Sequence, residues 1–186
     1  MKYMHAAFLG LVSILLSACF GVPTKTGTYS EVVGPNKAGC LNGYSVVIDE
    51  EKCENFRVGN LFVDMAPRGS KRYYQDPETS PYKLPSVVCT IERGSSYDIQ
   101  TNFIVEEVVV TTNSGRVFTD FDWGFTSFNQ DCKYLFLKPK LDINVERDSE
   151  LKVKMVASVL TPEKQTKEMN FVFSGVSHWH FPFYGP

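Results

Sequence analysis

The feature that most constrains the fold of this chain is an alternation of apolar and polar residues with a period of two. It is clearest in the last third of the sequence, where the apolar positions are Leu141, Ile143, Val145, Leu151, Val153, Met155, Ala157, Val159, Met169, Phe171 and Phe173. A period of two places such side chains on one face of a β-strand, whereas a helix needs apolar residues three and four positions apart. The helical spacing does not recur convincingly anywhere in the sequence. The pattern therefore predicts an all-β fold.

Further β-branched and aromatic runs extend this pattern towards the N-terminus. They cover residues 44–48, 61–65, 87–91, 97–112 and 117–125, with a hairpin signal at 113–115. Roughly eight to ten short strands at this spacing favour an antiparallel β-sandwich, immunoglobulin-like or related, with a barrel as the second choice. We expect the alternating segments 141–145, 151–159 and 169–173 to form a meander that packs on the core.

Residues 66–86 depart from this alternation and are rich in proline, tyrosine and basic residues. A long loop inside a compact domain is usually either functional or without fixed structure. Tyrosine and arginine are enriched among the residues that carry binding energy at protein interfaces. The alternative is a surface connection that its prolines stiffen. The candidate binding residues are Arg72, Tyr73, Tyr74 and Tyr82, together with Trp179 at the aromatic C-terminal end.

The N-terminal residues carry the pattern of an export signal. Lys2 precedes a mostly apolar stretch at 6–16, which is shorter than the ~18 apolar residues of a membrane-spanning helix. The stretch ends in the tetrapeptide Leu-Ser-Ala-Cys, and this tetrapeptide, which closes at Cys19, resembles the lipobox of bacterial lipoproteins. An ordinary signal-peptidase site fits less well, because Leu16 would occupy a position that prefers a small residue.

This resemblance implies that Cys19 carries a diacylglyceryl group, that residues 1–18 are removed, and that the new N-terminus is acylated. Two or more acyl chains, such as palmitate, anchor a protein stably, since each buried CH₂ contributes about 0.8 kcal/mol. In Gram-negative lipoproteins an Asp after the cysteine retains the protein at the inner membrane, whereas this chain has Phe20. The resemblance therefore implies a lipid-anchored protein of the bacterial cell envelope, with the outer membrane favoured.

Three segments are expected along the chain. Residues 1–18 form the signal peptide, and residues 19–39 form the lipidated cysteine and a flexible tether rich in Gly, Pro, Thr and Ser. Residues 40–186 form a single β-sandwich domain. The 168 residues left after processing are a usual size for one domain.

The charge of the chain is nearly balanced. The formal net charge is −2 and becomes −3 once Lys2 is removed with the signal peptide. Because no basic stripe is present, nucleic acid is not an expected partner. The lysines at 152, 154, 164 and 167 form a loose basic cluster, which is either a solvated strand face or a contact for membrane phosphates.

An even number of cysteines remains after Cys19, which argues for disulfides in an exported protein. The four residues are Cys40, Cys53, Cys89 and Cys132. Three connectivities are possible, and we favour a local Cys40–Cys53 bridge with Cys89–Cys132 joining distant strands. A Cys₄ metal site is the alternative, although no Cys-x-x-Cys spacing supports it.

Two histidines near the C-terminus are the candidate metal ligands. On a strand, His178 and His180 lie on one face, which is how a zinc or copper site can begin. Such a site needs three or four ligands, and Asp120 and Asp122 can contribute only if their strand lies alongside. The alternative is a terminal strand with exposed histidines, and no other cofactor is expected.

The segment around Asp120 and Asp122 places two carboxylates on one predicted strand face and three aromatic residues on the other. Cα atoms two residues apart on a strand are ~6.5–7 Å apart. Glycosidases hold their paired carboxylates ~5–9.5 Å apart, so the spacing is compatible with a glycan-acting enzyme. The alternatives are an aromatic platform for sugar binding and ordinary core packing.

Motifs of nucleophilic or nucleotide-dependent catalysis are missing from the sequence. It contains no Gly-x-Ser-x-Gly elbow, phosphate loop or dinucleotide fingerprint. We therefore expect a non-catalytic lipoprotein that binds or scaffolds another component of the cell envelope, with a protein as its partner. One alternative is a periplasmic metal- or small-ligand-binding module that uses His178 and His180, and the second is the glycan-acting enzyme.

Overall fold

A computed structural model describes residues 24–40, 51–69, 82–92, 94 and 96–180. In these ranges the helical elements are α1 (Pro35–Ala38), α2 (Ile99–Asn102) and a 3₁₀ turn (Glu54–Phe56). The strands are β1 (Thr24–Val33), β2 (Arg57–Val58), β3 (Leu61–Met65), β4 (Arg68–Gly69), β5 (Tyr82–Lys83), β6 (Ser86–Thr90), β7 (Phe103–Thr112), β8 (Val117–Phe118), β9 (Asp122–Ser127), β10 (Cys132–Lys138), β11 (Glu150–Val159) and β12 (Gln165–His180).

Ten of these strands form two antiparallel sheets of five. Sheet I has the order β1-β12-β11-β7-β8, and sheet II has the order β2-β3-β6-β10-β9. Ring contacts join the two layers. The centroids of Phe103 on β7 and Phe125 on β9 are 6.0 Å apart, and those of Phe56, in the 3₁₀ turn before β2, and Phe171 on β12 are 5.3 Å apart. The predicted antiparallel β-sandwich is therefore confirmed, and the sheets do not close into a barrel.

The core consists of the residues that the alternation picked out. All eleven apolar positions between Leu141 and Phe173 are no more than 2% exposed. Strands β11 and β12 pair antiparallel over ten residues each, from Glu150↔Ser174 to Val159↔Gln165. The prediction that 151–159 and 169–173 form neighbouring strands on the core is confirmed.

Two local predictions differ from the structure, and a third is untested. Residues 141–145 do not form a strand: Leu141 makes one isolated bridge to Tyr82, and the chain then turns at 145–147. Residues 99–102 form α2 instead of the start of a strand, because the Asp98 side chain caps the helix by accepting a hydrogen bond from Gln100 N at 3.0 Å. The run at 44–48 lies outside the described residues.

The predicted flexible tether is wrong from residue 24 onward. Strand β1 pairs with β12 from Thr24↔His180 to Val33↔Val172 and forms an edge of sheet I. Its Tyr29 ring packs edge-on against Tyr82, with centroids 5.1 Å apart, and its hydroxyl donates to Asp148 O at 2.7 Å. The Gly-, Thr- and Ser-rich composition that resembles a linker is here that of an edge strand, which needs only one strand neighbour.

The predicted strand at 117–125 is two strands separated by a kink. Asp120 has a φ of 58°, a left-handed backbone conformation that interrupts a ladder. Strand β8 pairs with β7 in sheet I, whereas β9 pairs with β10 in sheet II. The chain therefore crosses between the sheets at Asp120. Across the described ranges, no helix has the length and hydropathy needed to cross a membrane.

Candidate functional site

Two of the five predicted binding residues, Tyr82 and Trp179, lie in the part of the chain that the structure describes. Arg72, Tyr73 and Tyr74 lie outside the described residues, as does the predicted lipidation site Cys19. Trp179 lies on β12 and its side chain is 59% exposed, so it stays a binding candidate.

Tyr82 is a core residue, and the prediction that it binds a partner from a surface loop is wrong. It is 2% exposed, and its hydroxyl donates to Gly27 O at 2.9 Å. Its backbone exchanges hydrogen bonds with Leu141 at 2.7 and 2.8 Å. Burial raises the pKa of Tyr82 to about 12. The residue therefore joins β1 to the segment after β10 and presents no surface to a ligand.

Of the two predicted disulfides, Cys89–Cys132 is confirmed. The two cysteines are direct partners on the neighbouring antiparallel strands β6 and β10. The pairing of Cys40 with Cys53 is not among the bonds that the structure shows, and it stays a prediction. Both of these residues are fully buried.

The two histidines of the metal hypothesis occupy alternate positions of β12, opposite Thr26 and Thr24. His178 is exposed, and the side chain of His180 is outside the described ones. Within the described ranges, no group of three metal-binding side chains comes together. Asp120 and Asp122 cannot supply a ligand there, because β9 lies at the edge of sheet II and is not a neighbour of β12. A metal site at His178 and His180 has no structural support from the described residues.

The paired-carboxylate hypothesis is wrong in its geometry. Asp120 occupies the kink between β8 and β9, so it does not share a strand face with Asp122. Asp122 is the first residue of β9 and lies opposite Lys138 of β10. The aromatic side chains of this segment do pack together. The Phe125 ring lies between the rings of Phe103 and Trp123, at centroid distances of 6.0 and 5.9 Å.

The loose basic cluster proves to be a set of ion pairs on the solvated face of sheet I and its end. Each lysine has a glutamate carboxylate within 4 Å, in the pairs Lys152–Glu150 (3.3 Å), Lys154–Glu107 (2.8 Å), Lys164–Glu106 (3.1 Å) and Lys167–Glu54 (3.7 Å). Such pairs leave little net positive charge to attract lipid phosphates. The interpretation as a solvated strand face is the one that the structure favours.

An exposed aromatic cluster lies on the outer face of sheet II. Strand β10 buries Leu135 and Leu137 and turns Tyr134 and Phe136 outward, 40% and 36% exposed. Phe128, which is 46% exposed, packs on Tyr134 with ring centroids 4.5 Å apart. We call Phe128, Tyr134 and Phe136 the aromatic edge patch.

Strand β9, the neighbour of β10, leaves space for a side chain of the patch. Gly124 of β9 lies opposite Phe136, and a Cβ at Gly124 would lie 2.6 Å from Phe136 Cζ. The Phe136 ring therefore lies across β9 in the space where another residue would have a side chain. Lys138 Nζ stands 5.4 Å from the centroid of the same ring, within range of a cation–π contact.

Strand β9 gives the patch an open backbone edge. It is the last strand of sheet II, and its ladder runs on one side only, from Ser127↔Lys133 to Asp122↔Lys138. No described residue pairs with its other side. An edge strand presents unpaired N–H and C=O groups, which are a template for a further strand. The patch and the open edge therefore adjoin each other.

The aromatic edge patch was missed by the sequence analysis because β10 has no alternation to detect. Residues 134–137 read Tyr-Leu-Phe-Leu, so both faces of the strand are apolar. In a two-layer sandwich only one face of a strand is covered by the other sheet. The signal that was available is the presence of two apolar faces next to charged Lys133 and Lys138, which indicates a second contact surface.

We expect Gly124→Ala to displace the Phe136 ring at little cost in stability. The added Cβ overlaps the far end of an exposed side chain, which can rotate, so the unfolding free energy should change by less than about 1 kcal/mol. The ring-proton chemical shifts of Phe136 in solution NMR measure the displacement. Ser127→Ala, at the other end of β9, is the matched control and should leave those shifts unchanged. Unchanged Phe136 shifts in Gly124→Ala would contradict the packing described above.

A polar groove opens between β2 and the first residues of β12, with a volume of about 310 Å³. Its lining residues include Arg57, Gln165 and Lys167. Arg57 Nε donates to Gly59 O at 2.6 Å, and Lys167 is 3.7 Å from Glu54. The charged groups of the groove are thus engaged with neighbouring protein atoms.

Asp148 is a fully buried carboxylate beyond the end of sheet I. It accepts hydrogen bonds from Asn144 N at 2.9 Å, from Arg147 Nε and Nη2 at 3.0 and 2.9 Å, and from the Ser114 hydroxyl. Burial alone would raise its pKa, but these donors outweigh it and lower the pKa to about 2. The carboxylate is held by two segments of the chain, 114–116 and 144–147, so its role is structural.

Comparisons of the chain with protein-family models, with curated proteins and with solved structures find no match.

Proposed function

We propose that this chain is a non-catalytic, lipid-anchored protein of the cell envelope that binds another envelope protein through the aromatic edge patch. The observation that carries the proposal is the clustering of Phe128, Tyr134 and Phe136, each more than a third exposed, beside the open edge of β9. The resemblance of residues 16–19 to a lipobox supports the location, with the outer membrane favoured.

The chemistry of the patch suits a protein partner. Aromatic residues are enriched at the centres of protein interfaces because they bury a large area with few rotatable bonds. The open edge of β9 adds main-chain hydrogen bonds if the partner contributes an extended segment, as in strand addition. The patch offers a surface on the outside of sheet II instead of a closed cavity, which is why binding is proposed and catalysis is not.

The anchor strengthens such recognition. A protein held at the membrane surface meets membrane-bound partners at a higher effective concentration than a freely diffusing one. A modest affinity of the patch is then enough for a stable association.

Photo-crosslinking in intact cells tests the proposal. A photoreactive amino acid at Thr126, on the outward face of β9 opposite Tyr134, should capture one reproducible protein partner. The same residue at Lys152, on the solvated face of sheet I, should capture none. Phe136→Ser should reduce the Thr126 product about 30-fold, since loss of an interface hot spot costs about 2 kcal/mol.

Leu160→Ser is the matched control for the loss of exposed apolar area. Leu160 is 38% exposed, close to the 36% of Phe136, and it follows the end of β11 in sheet I. This variant should leave the Thr126 product unchanged. Equal products from Thr126 and Lys152, or equal losses in the two Ser variants, would show that the patch is not the binding surface.

A further inference from the structure

Strands β1 and β12 continue beyond the rest of sheet I as a two-stranded ribbon. The ladder between β11 and β12 ends at Glu150↔Ser174, whereas the ladder between β1 and β12 continues from Tyr29↔Gly175 to Thr24↔His180. We call residues 24–29 and 175–180 the ribbon. Within the described part of the chain, its two strands pair only with each other.

The base of the ribbon is fixed to the core. Gly175 N donates to Ser149 O at 2.7 Å, and Gly27 O accepts the Tyr82 hydroxyl at 2.9 Å. The Val145 side chain packs against both glycines: a Cβ at Gly175 would lie 2.7 Å from Val145 Cγ1, and one at Gly27 would overlap Val145 Cγ2. Since these contacts hold the base, the direction in which the tip projects is set by the domain.

The ribbon carries one large exposed apolar side chain on each face. Trp179 is 59% exposed and Val176 is 45% exposed, and their positions, three apart, put them on opposite faces of β12. The sequence of the ribbon contains one lysine and two histidines but no carboxylate. An exposed tryptophan with a valine and no negative charge is a composition suited to the boundary between lipid headgroups and acyl chains.

The number of residues between Cys19 and the ribbon limits how far the ribbon tip can lie from the proposed lipid anchor. Strand β1 begins at Thr24, five residues after Cys19, and a chain spans at most ~3.3–3.6 Å per residue. An acylated Cys19 therefore lies within about 18 Å of the ribbon tip. A protein held so closely cannot move its N-terminal strand far from the bilayer.

We propose that the ribbon tip rests in the headgroup layer of the membrane that holds the anchor, with Trp179 at the headgroup–acyl boundary. The inference rests on the lipid anchor of the proposed function and adds a second, protein-mediated membrane contact. It also orients the domain, because the ribbon lies at the β1 edge of sheet I.

This orientation leaves the aromatic edge patch accessible. Strand β9 contacts sheet I through Phe125 and the Phe103 ring of β7, and β7 is three strands away from β1. At ~4.8 Å per strand, β7 is about 14 Å from β1 along sheet I, and the patch lies on the outer face of the other sheet. Membrane contact and partner binding therefore use different sides of the sandwich.

The two tryptophans of the chain, Trp123 and Trp179, allow a matched fluorescence test. The full-length lipidated protein is reconstituted as Trp123→Phe, which keeps only Trp179, and as Trp179→Phe, which keeps only Trp123. The vesicles contain phosphatidylethanolamine and phosphatidylglycerol, with or without bromine atoms on the upper part of the acyl chains. We expect the bromines to lower Trp179 emission about twofold, as for an interfacial tryptophan, and to leave Trp123 emission unchanged.

The controls separate this inference from the proposed function. Thermal unfolding by circular dichroism verifies that both variants fold, and intact mass verifies the acyl groups on Cys19. If the mass shows no lipid, the anchor and the inference both fail. If the protein is lipidated but Trp179 emission is the same in both kinds of vesicle, the inference alone is overturned, and the tip faces a protein or a second copy instead.

Discussion

Replacing Asp148 by Ala is expected to lower the unfolding free energy by about 2–5 kcal/mol, because each buried donor that loses its acceptor costs about 1–3 kcal/mol. The side chain is fully buried, and its removal leaves the Asn144 N–H and the Ser114 hydroxyl without their acceptor. It also releases the Arg147 guanidinium, which donates two hydrogen bonds to the same carboxylate oxygen. Urea unfolding followed by circular dichroism measures the loss.

Asp142→Asn is the matched control, because it removes the same kind of charge from the same network at the surface. Asp142 is 87% exposed and pairs with Arg116 at 3.4 Å, whereas Arg116 also reaches Asp148 at 3.5 Å. An exposed pair is worth about 0–1 kcal/mol, so the control should lose no more than that. Equal losses in the two variants would show that Asp148 contributes only as a surface charge.

The same carboxylate gives the domain a specific sensitivity to acid. The pKa of Asp148 is lowered from 3.8 to about 2 in the folded state, so its ionised form favours folding above pH 4 and this contribution is lost as the pH falls through 2. The contribution is at most about 2 kcal/mol, since the arginines around it are partly exposed and screened. The stability difference between the wild type and Asp148→Asn should therefore shrink between pH 6 and pH 2.5.

The β-sandwich was predictable because its core residues alternate with polar ones along each strand, a pattern that is visible within a few neighbouring residues. The apolar positions between Leu141 and Phe173 alternate, and an alternating strand can bury only one face, so two such faces must meet. The role of Thr24–Val33 was not predictable in the same way. Its partner β12 is about 140–155 residues away in sequence, and nothing local distinguishes a polar edge strand from a linker.

The candidate site was harder to predict than the fold, for two physical reasons. Asp120 adopts a left-handed backbone conformation that no pattern in the surrounding sequence predicts. The resulting kink moves β9 into sheet II and separates the carboxylates of Asp120 and Asp122. Strand β10 is apolar on both faces, so it has no period, and its Tyr134 and Phe136 resemble core residues. Tyr82 illustrates the opposite error. The sequence places this tyrosine among prolines in a predicted surface loop, whereas its side chain is buried in the core.

The proposed lipid anchor, the ribbon and the aromatic edge patch fit one orientation of the domain at a membrane. With the proposed lipid anchor at Cys19, the short chain between Cys19 and Thr24 keeps the β1 edge of sheet I near the membrane. The aromatic edge patch then lies on the side of the domain that a partner can approach. Disulfide bonding is consistent with this location, since exported proteins fold where thiols are oxidised.

Removal of the Cys89–Cys132 disulfide is expected to have the other large effect on stability. The bond joins residues 43 apart in sequence, and a closed loop of that size restricts the unfolded chain by about 4 kcal/mol at 25 °C. It also ties β6 to β10, the strand that presents Tyr134 and Phe136. We expect Cys89→Ala/Cys132→Ala to lower the unfolding free energy by about 4 kcal/mol in guanidinium unfolding.

A reducing agent provides the control for the disulfide variant and separates the bond from the lost side-chain volume. Both cysteines are nearly buried, so part of the loss in the double variant comes from packing, whereas reduction of the wild type opens disulfides without removing any side chain. The loss on reduction of the wild type, less the loss on reduction of the double variant, should therefore be close to the loss that the double substitution causes. If the double variant is itself destabilised further by reduction, the predicted Cys40–Cys53 bond is present. A loss below about 1 kcal/mol on reduction of the wild type would contradict the loop argument, because the unfolded chain would then gain little freedom when the bond opens.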